Sequence, residues 1–344
     1  MSGKITEFVK APRFFKDKPM LLKMLKILGI ILLLLLLIGF IFYQYMFRPS
    51  IVEEPELAGN LHTETLMVDG HKRTFNWYQP SNSNKKAILF ILHGSTGDGP
   101  GIRQQTAYAF DQLAEEEGFI PVYPTGYFNH WNDCRGTADY QANKDDIDDI
   151  TFLKKIENHI AQQLGNSFDY RFAMGHSNGG HFCFKLAFEA PNWINGIVPV
   201  SANIPVAENL DCTQKGQFVP MFLINGTADK VNPYEGGLVV ILGNDSRGTV
   251  VSTDRTMQYW SSLAGCTTEP SKKDVPNNNT ADKTRIEQYY WQCGVGNPLQ
   301  LFKVVNGGHT IPHTHNSFPR ILGATNQDVD IAREVWGFFS QVIQ

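Results

Sequence analysis

Residues 27–42 read ILGIILLLLLLIGFIF, an uncharged apolar run that leaves the start of the chain few places to go. With Tyr43, Gln44, Tyr45, Met46 and Phe47 it reaches the length of about 20 residues that spans a bilayer as a helix. Tyr43 and Tyr45 stand where an aromatic belt would lie. A buried core helix is the bland alternative, and so long an uncharged run disfavours it. A cleaved signal peptide would have an apolar region of about 7–15 residues followed by a small-x-small site. The sequence FYQYMFRPS offers no such site, so segment 27–47 is expected to be an uncleaved transmembrane signal anchor.

Charge sets the expected orientation. Residues 1–26 hold seven Lys or Arg (Lys4, Lys10, Arg13, Lys16, Lys18, Lys23 and Lys26) against Glu7 and Asp17. The positive-inside rule places this basic segment in the cytoplasm and the body on the periplasmic or extracellular side. From residue 27 onward, 23 basic residues face 32 acidic ones. An acidic body argues against nucleic acid as a partner, because phosphate binding needs clustered cations. With 42% apolar and 19% charged residues, the 344-residue chain is not a disordered one. The proline-bearing stretch 48–61 reads as a linker, and a folded domain is expected over 62–344.

Five cysteines suit an exported domain. Cys266 and Cys293 flank the polar stretch SKKDVPNNNTADK, which reads as an exposed loop. A disulfide closing it would contribute about 3 kcal/mol on the loop-entropy model. Cys134 and Cys212 form a weaker second candidate pair. Cys183 falls within a helical pattern and is expected to be a buried thiol. Spacing alone does not decide the connectivity.

Short apolar runs at 87–92, 119–123, 170–174, 196–200, 219–224 and 299–305 have the length and composition of buried strands. Ile147, Ile150, Leu153, Ile156, Ile160 and Leu164 make one helical stripe, and segments 103–117, 178–190, 253–264 and 328–342 also suit helices. Such alternation predicts an α/β fold with a mostly parallel central sheet covered by helices on both faces. Asp69-Gly70, between alternating runs at 64–68 and 73–78, predicts an opening antiparallel hairpin.

The chemistry concentrates in three places. Gly175-His176-Ser177-Asn178-Gly179 matches G-x-S-x-G between a predicted strand and a predicted helix, the context that motif requires. The glycines clear space for a tight turn that lifts Ser177 above the sheet, and the Asn178 amide at the helix start can donate to an oxyanion. A serine needs a base, and the base an orienting carboxylate, in the chain order Ser, acid, His. Asp229 follows the strand 219–224 and lies 52 residues after Ser177, with Glu235 as its backup. His309 follows a strand and Gly307-Gly308, 80 residues further on. A metal site of His309, His313 and His315 is the competing reading, disfavoured by Pro312 and by the lack of an H-E-x-x-H pattern. His176 and His181 are read as packing or hydrogen-bonding residues, and His62, His71 and His159 as superficial or structural. The stretch ILFILHGSTGDG ends a strand in a loop suited to a second oxyanion donor, Ser95 first and Thr96 second, with His93 shaping the loop. The run KDDIDDI (Asp145, Asp146, Asp148 and Asp149) lacks calcium-loop spacing and reads as a helix start.

Taken in order, LHGSTGDG, YPTGYFNHWNDC, DDIDDITFL, GHSNGG, NGTADKVNPYEGG, WSSLAGC and NGGHTIP resemble the esterase/polyhydroxybutyrate depolymerase family of α/β-hydrolases, which includes feruloyl esterases. The resemblance covers roughly residues 65–315 and implies a serine hydrolase of carboxylic esters (hydroxyalkanoate oligomers, or feruloyl- or acetyl-type esters). It implies Ser177 as nucleophile, Asp229 as acid and His309 as base, needing neither metal nor organic cofactor. It also suggests that Trp131, in NHWNDC, lines the acyl or alcohol pocket; His93, on the loop after the first parallel strand, is the other candidate substrate contact. Ile311 and Ser95 depart from the family's usual Trp and Cys, both near the substrate. A peptidase or acyltransferase on the same residues, or a non-catalytic surface binding protein on this scaffold, are the rival readings.

Overall fold

The computed structural model describes residues 18–82, 86–294, 297–315 and 318–343. The expected basic segment therefore lies outside the described residues up to residue 17. The chain divides into two units, one ending at Arg48 and the other beginning at Pro49. The first contains α1 (Lys18–Phe47), 30 residues that extend about 45 Å. Its stretch Pro19–Phe47 is long and apolar enough to cross a membrane, and its leucines and isoleucines are exposed.

The second unit runs β1 (Asn60–Val68), β2 (His71–Gln79), β3 (Ala87–Leu92), α2 (Gly99–Gln105), α3 (Ala109–Glu117), β4 (Ile120–Pro124), α4 (Gln141–Lys144) and α5 (Asp149–Leu164). It continues through β5 (Tyr170–His176), α6 (Asn178–Glu189), β6 (Gly196–Val200), β7 (Met221–Gly226), β8 (Gly237–Leu238), β9 (Thr249–Val250) and α7 (Thr253–Leu263). It closes with β10 (Ser271–Asp274), β11 (Arg285–Trp291), β12 (Leu299–Val305) and α8 (Ile331–Phe339). One ten-stranded sheet has the order β1-β2-β4-β3-β5-β6-β7-β12-β11-β10, while β8 and β9 pair separately. The strands from β4 through β12 in that order are parallel, and antiparallel strands flank them on both sides. The β1–β2 hairpin turns at Asp69-Gly70, both with positive φ, as a tight hairpin turn requires.

Side-chain alternation shows why the central runs are continuously apolar. Ile88, Phe90 and Leu92 of β3 enter one hydrophobic cluster with residues of α5, α6 and α7. Ala87, Leu89 and Ile91 enter another with residues of α2, α3 and α8. Both faces are covered, so no position of β3 can be polar without burying an unpaired group. Helices α5 and α7 start on capping side chains: Asp148 accepts from the Thr151 amide at 2.8 Å, and Ser252 from the Arg255 amide at 3.1 Å.

Three expectations are corrected. The helix expected over 103–117 is broken at Ala107 and Tyr108, which take positive φ. The break brings buried Arg103 against buried Asp111 at 2.5 Å, a pairing one straight helix would deny residues eight apart. The polar stretch between Cys266 and Cys293 is not simply a loop, because its SKKD forms edge strand β10 on β11. An edge strand needs no apolar face, and all four residues are exposed. Finally, the linker expected over 48–61 docks in part. Glu54 pairs with Arg103 at 2.5 Å, Leu57 packs on the core and the Gly59 amide donates to Tyr78 Oη.

Candidate active site

The strand-to-helix turn sits near the middle of the sheet. Ser177 lies between β5 and α6 with φ 54° and ψ −115°, a conformation few non-glycine residues adopt. Its amide donates to Val200 O of the neighbouring strand at 2.8 Å, and its carbonyl accepts from the His181 amide at 2.8 Å. A Cβ on Gly175 would stand 2.2 Å from Gly179 O, so a side chain there would force the turn apart. Asn178 is the first residue of α6, where the amide has no acceptor within the helix.

Asp229 follows β7, and both of its carboxylate oxygens are engaged. Oδ1 accepts from the amides of Val231 and Asn232 at 2.8 and 2.9 Å, and Oδ2 lies 2.7 Å from His309 Nδ1. An ionised Asp229 only accepts, so Nδ1 carries the hydrogen and Nε2 keeps its lone pair. Both side chains are buried. The loops that carry them touch backbone to backbone, since a Cβ on Gly226 would stand 2.3 Å from Gly307 O. The His309 amide donates to Leu322 O at 2.7 Å, which pins the loop from its other side. Glu235, the backup acid, is exposed. The His309 ring packs 4.9 Å from the ring of His176, beside Ser177. Burial, and then the nearness of His309, drive the His176 pKa well down. The His176 ring thus packs beside the histidine of the pair.

The loop after β3 meets this turn. A Cβ on Gly94 would lie 3.4 Å from Ser177 Cβ. His93 Nδ1 donates to Gly94 O at 2.7 Å, and Nε2 accepts from the Gly126 amide at 2.9 Å. Burial pushes the His93 pKa down to about 4, so the ring is a neutral brace. The Thr96 amide is committed to Asn129 O at 2.9 Å, which removes the second-choice oxyanion donor. Ser95 Oγ lies 2.7 Å from Tyr140 Oη.

Trp131 is where sequence reasoning needs correcting. It is fully buried, stacks on Phe182 of α6, and donates its indole N–H to His93 O at 2.9 Å. Its backbone amide donates to Asn178 Oδ1 at 2.8 Å. Trp131 therefore fastens the β3 loop to the start of α6 from beneath, leaving no surface for a ligand. His93, only 1% exposed, is likewise a support for the loop and no substrate contact.

Several residues of the site gave no signal in the sequence. Asn178 Nδ2 donates to Asp133 Oδ2 at 2.7 Å, and Asp133 pairs with Arg135 at 2.5 Å, all buried. Burial would raise the Asp133 pKa, but Arg135 outweighs it and holds the carboxylate low. Cys134, between them, is bonded to Cys212. Asp149 turns inward to Arg73 at 2.6 Å and accepts from the Asn132 amide at 2.8 Å. Within the acidic run, only Asp148 makes the expected helix cap. Cys266 is bonded to Cys293, and Cys183 is a buried free thiol. His313 directs its amide to Asn326 O, away from the Asp229 pairing made by His309. Among the described residues no cluster of three His, Cys, Asp or Glu is placed to hold a metal ion. A cavity of about 590 Å³ is lined by Tyr234, Met257, Tyr289 and Trp291 among others, and its lining includes none of Ser177, Asp229 and His309.

No family model matches the chain. Curated relatives do. A putative esterase, NocK of Nocardia uniformis subsp. tsuyamanensis, is 21% identical over 277 residues, 78% of this chain and 79% of that protein. Feruloyl esterase D of Neurospora crassa is 25% identical over 296 residues, 82% of this chain and 86% of that one. A bifunctional acetylxylan esterase/xylanase of Neocallimastix patriciarum is 31% identical over 170 residues, 48% of this chain and 23% of that protein. Among solved structures, acetyl xylan esterase from Aspergillus awamori is similar with a TM-score of 0.49 and 17% identity, over 74% of this chain and 96% of that one. The sheet order and the strand–serine–helix turn are those of the α/β-hydrolase fold, and the chain is similar in sequence to proteins named as esterase, feruloyl esterase and acetylxylan esterase.

Proposed function

We propose that the chain is a membrane-anchored serine esterase that hydrolyses carboxylic esters through an acyl-enzyme. The observation that carries this reading is the 2.7 Å pairing of His309 Nδ1 with Asp229 Oδ2 beside the strained Ser177 turn. His309 Nε2 takes the proton as Ser177 Oγ attacks the ester carbonyl, and Asp229 orients the ring and stabilises the imidazolium. The amides of Asn178 and Ser95 hold the oxyanion. His309 then protonates the leaving alcohol, activates a water against the acyl-enzyme, and Ser177 is restored. Acetyl, feruloyl and hydroxyalkanoate esters are the candidate substrates, the first two from the relatives' names and the last from the motif resemblance. In this reading 27–47 is the anchor, 48–61 tethers a catalytic domain at 62–344, and the basic end faces the cytoplasm. The apolar α1 and the two disulfides support it.

The test is hydrolysis of p-nitrophenyl esters from acetate to octanoate by the detergent-solubilised full chain. Ser177→Ala is expected to lower kcat by at least ~10⁴-fold with the fold intact. Equal activity in parent and variant would sink the assignment.

A further inference from the structure

Four arginines are buried among the described residues, and three of them meet a carboxylate. Arg73 pairs with Asp149, Arg103 with Asp111, and Arg135 with Asp133. Arg247, 9% exposed, has no carboxylate within 4.0 Å among the described residues. Its Nε donates to Tyr140 Oη at 2.7 Å and its Nη1 to Asn244 O at 3.1 Å, and both acceptors are neutral. Nη2 and the second hydrogen of Nη1 take no protein acceptor among the described residues. A buried charge is ordinarily paired, because desolvation is repaid only by an opposite charge.

The place of this cation is informative. Tyr140 Oη, which accepts from Arg247, also lies 2.7 Å from Ser95 Oγ. Ser95 follows Gly94, which stands against Ser177. Arg247 is therefore two hydrogen bonds from the loop proposed to hold the oxyanion. Its guanidinium carbon lies 5.3 Å from the Tyr140 ring centroid, a cation–π contact that brings no opposite charge. The ring of His130 stacks 4.3 Å from that of Tyr140, and burial, with help from Arg247, keeps this histidine's pKa low. Asp133 is already bound to Arg135. The body as a whole is acidic, so an uncompensated buried cation at this point is not the reflection of a basic surface.

We propose that Arg247, positioned by Tyr140, is a carboxylate subsite, and that the ester cleaved at Ser177 bears a free carboxylate. A planar guanidinium offers parallel N–H donors that match a carboxylate and not a neutral ester or hydroxyl. This rests on the esterase reading with Ser177 as nucleophile. The carboxylate can belong to the acyl part, as in a dicarboxylic monoester, or to the alcohol part, as in an acylated hydroxy acid.

The experiment compares matched esters with the full chain in detergent, following acid release. One arm sets monomethyl glutarate and adipate against their dimethyl esters. The other sets 4-acetoxybutanoate against its methyl ester. The expected result is a kcat/KM preference of about 10- to 100-fold for the anionic ester in one arm, expressed mainly in KM. Arg247→Gln is expected to erase that ratio, and Arg247→Lys to restore part of it. No preference in either arm of the parent, or a preference that survives Arg247→Gln, overturns the subsite. If Arg247→Gln does not fold, inhibition of p-nitrophenyl acetate hydrolysis decides. Competitive inhibition by glutarate but not by glutaramide supports the proposal, and equal effects overturn it. Failure to hydrolyse any ester, neutral ones included, sinks the esterase reading instead. Calorimetric titration of monomethyl adipate into the parent then judges the subsite alone, for which absence of binding is fatal.

Discussion

The two disulfides sit in contrasting parts of the second unit. Cys134–Cys212 joins segments 78 residues apart, next to the buried Asp133–Arg135 pair that holds Asn178. Cys266–Cys293 joins segments 27 residues apart and brackets β10 and β11, where β10 is exposed at all four positions. The first region is close-packed and polar inside, with Asp133 answered by Arg135. The second is an edge of the sheet where the charges of β10 face water. A polar contact in the interior therefore fixes geometry, whereas the same contact at the edge chiefly keeps a strand soluble.

That contrast breaks or sharpens under three further perturbations. Replacing Cys134 and Cys212 by Ala is expected to cost about 4–5 kcal/mol on the loop-entropy model and to lower esterase activity with it. Replacing Cys266 and Cys293 is expected to cost about 3–4 kcal/mol and to leave kcat within twofold. Denaturant unfolding and ester turnover on both double variants decide the matter. Equal loss of activity in the two would dissolve the distinction.

Next, Asp149→Ala leaves Arg73 charged and buried and is expected to cost about 3–5 kcal/mol. Lys272→Ala, which removes the contact of an exposed lysine to Glu287 on the β10–β11 edge, is expected to leave the unfolding midpoint within a small shift, because Glu287 keeps its contacts to Arg285 and Tyr289. An equal shift in the two variants would mean that the interior pair is as well hydrated as the edge pair.

Titration probes the interior alone. His93 has its pKa pushed from 6.5 to about 4, and burial drives His176 and His181 well down. Between about 6.5 and 4 the unfolded chain binds protons that the folded His93 refuses. Stability is therefore complete above the unfolded value and falls as the pH drops through that window. His93 alone contributes on the order of 3 kcal/mol. In Cys266→Ala/Cys293→Ala the same slope is expected, since the three histidines lie beside the serine turn and not at the edge. Unfolding midpoints from pH 7 to 4 measure it, and a flat profile would show that the rings are hydrated.

The central strands were legible because burial on both faces demands unbroken apolar runs, and β3 and β6 begin and end where the sequence places them. The serine turn was legible because its glycines are steric necessities. The edge strand β10 was not, since SKKD carries no apolar pattern and pairs only because β11 offers it an open edge. The break between α2 and α3 was hidden for a related reason. Arg103 and Asp111 are ordinary helix residues until both are buried together.

Local sequence thus determined the apolar α1, the parallel α/β core, the turn at Ser177, and the loops that carry Asp229 and His309. These follow from periodicity and from backbone sterics, which act over a few residues. Only the tertiary structure decided that Trp131 underpins the β3 loop, that Thr96 has no free amide, and that Arg247 meets no carboxylate among the described residues. Each of those depends on which groups compete for the same partner in a low-dielectric interior, and that competition is set by packing between segments far apart in the chain.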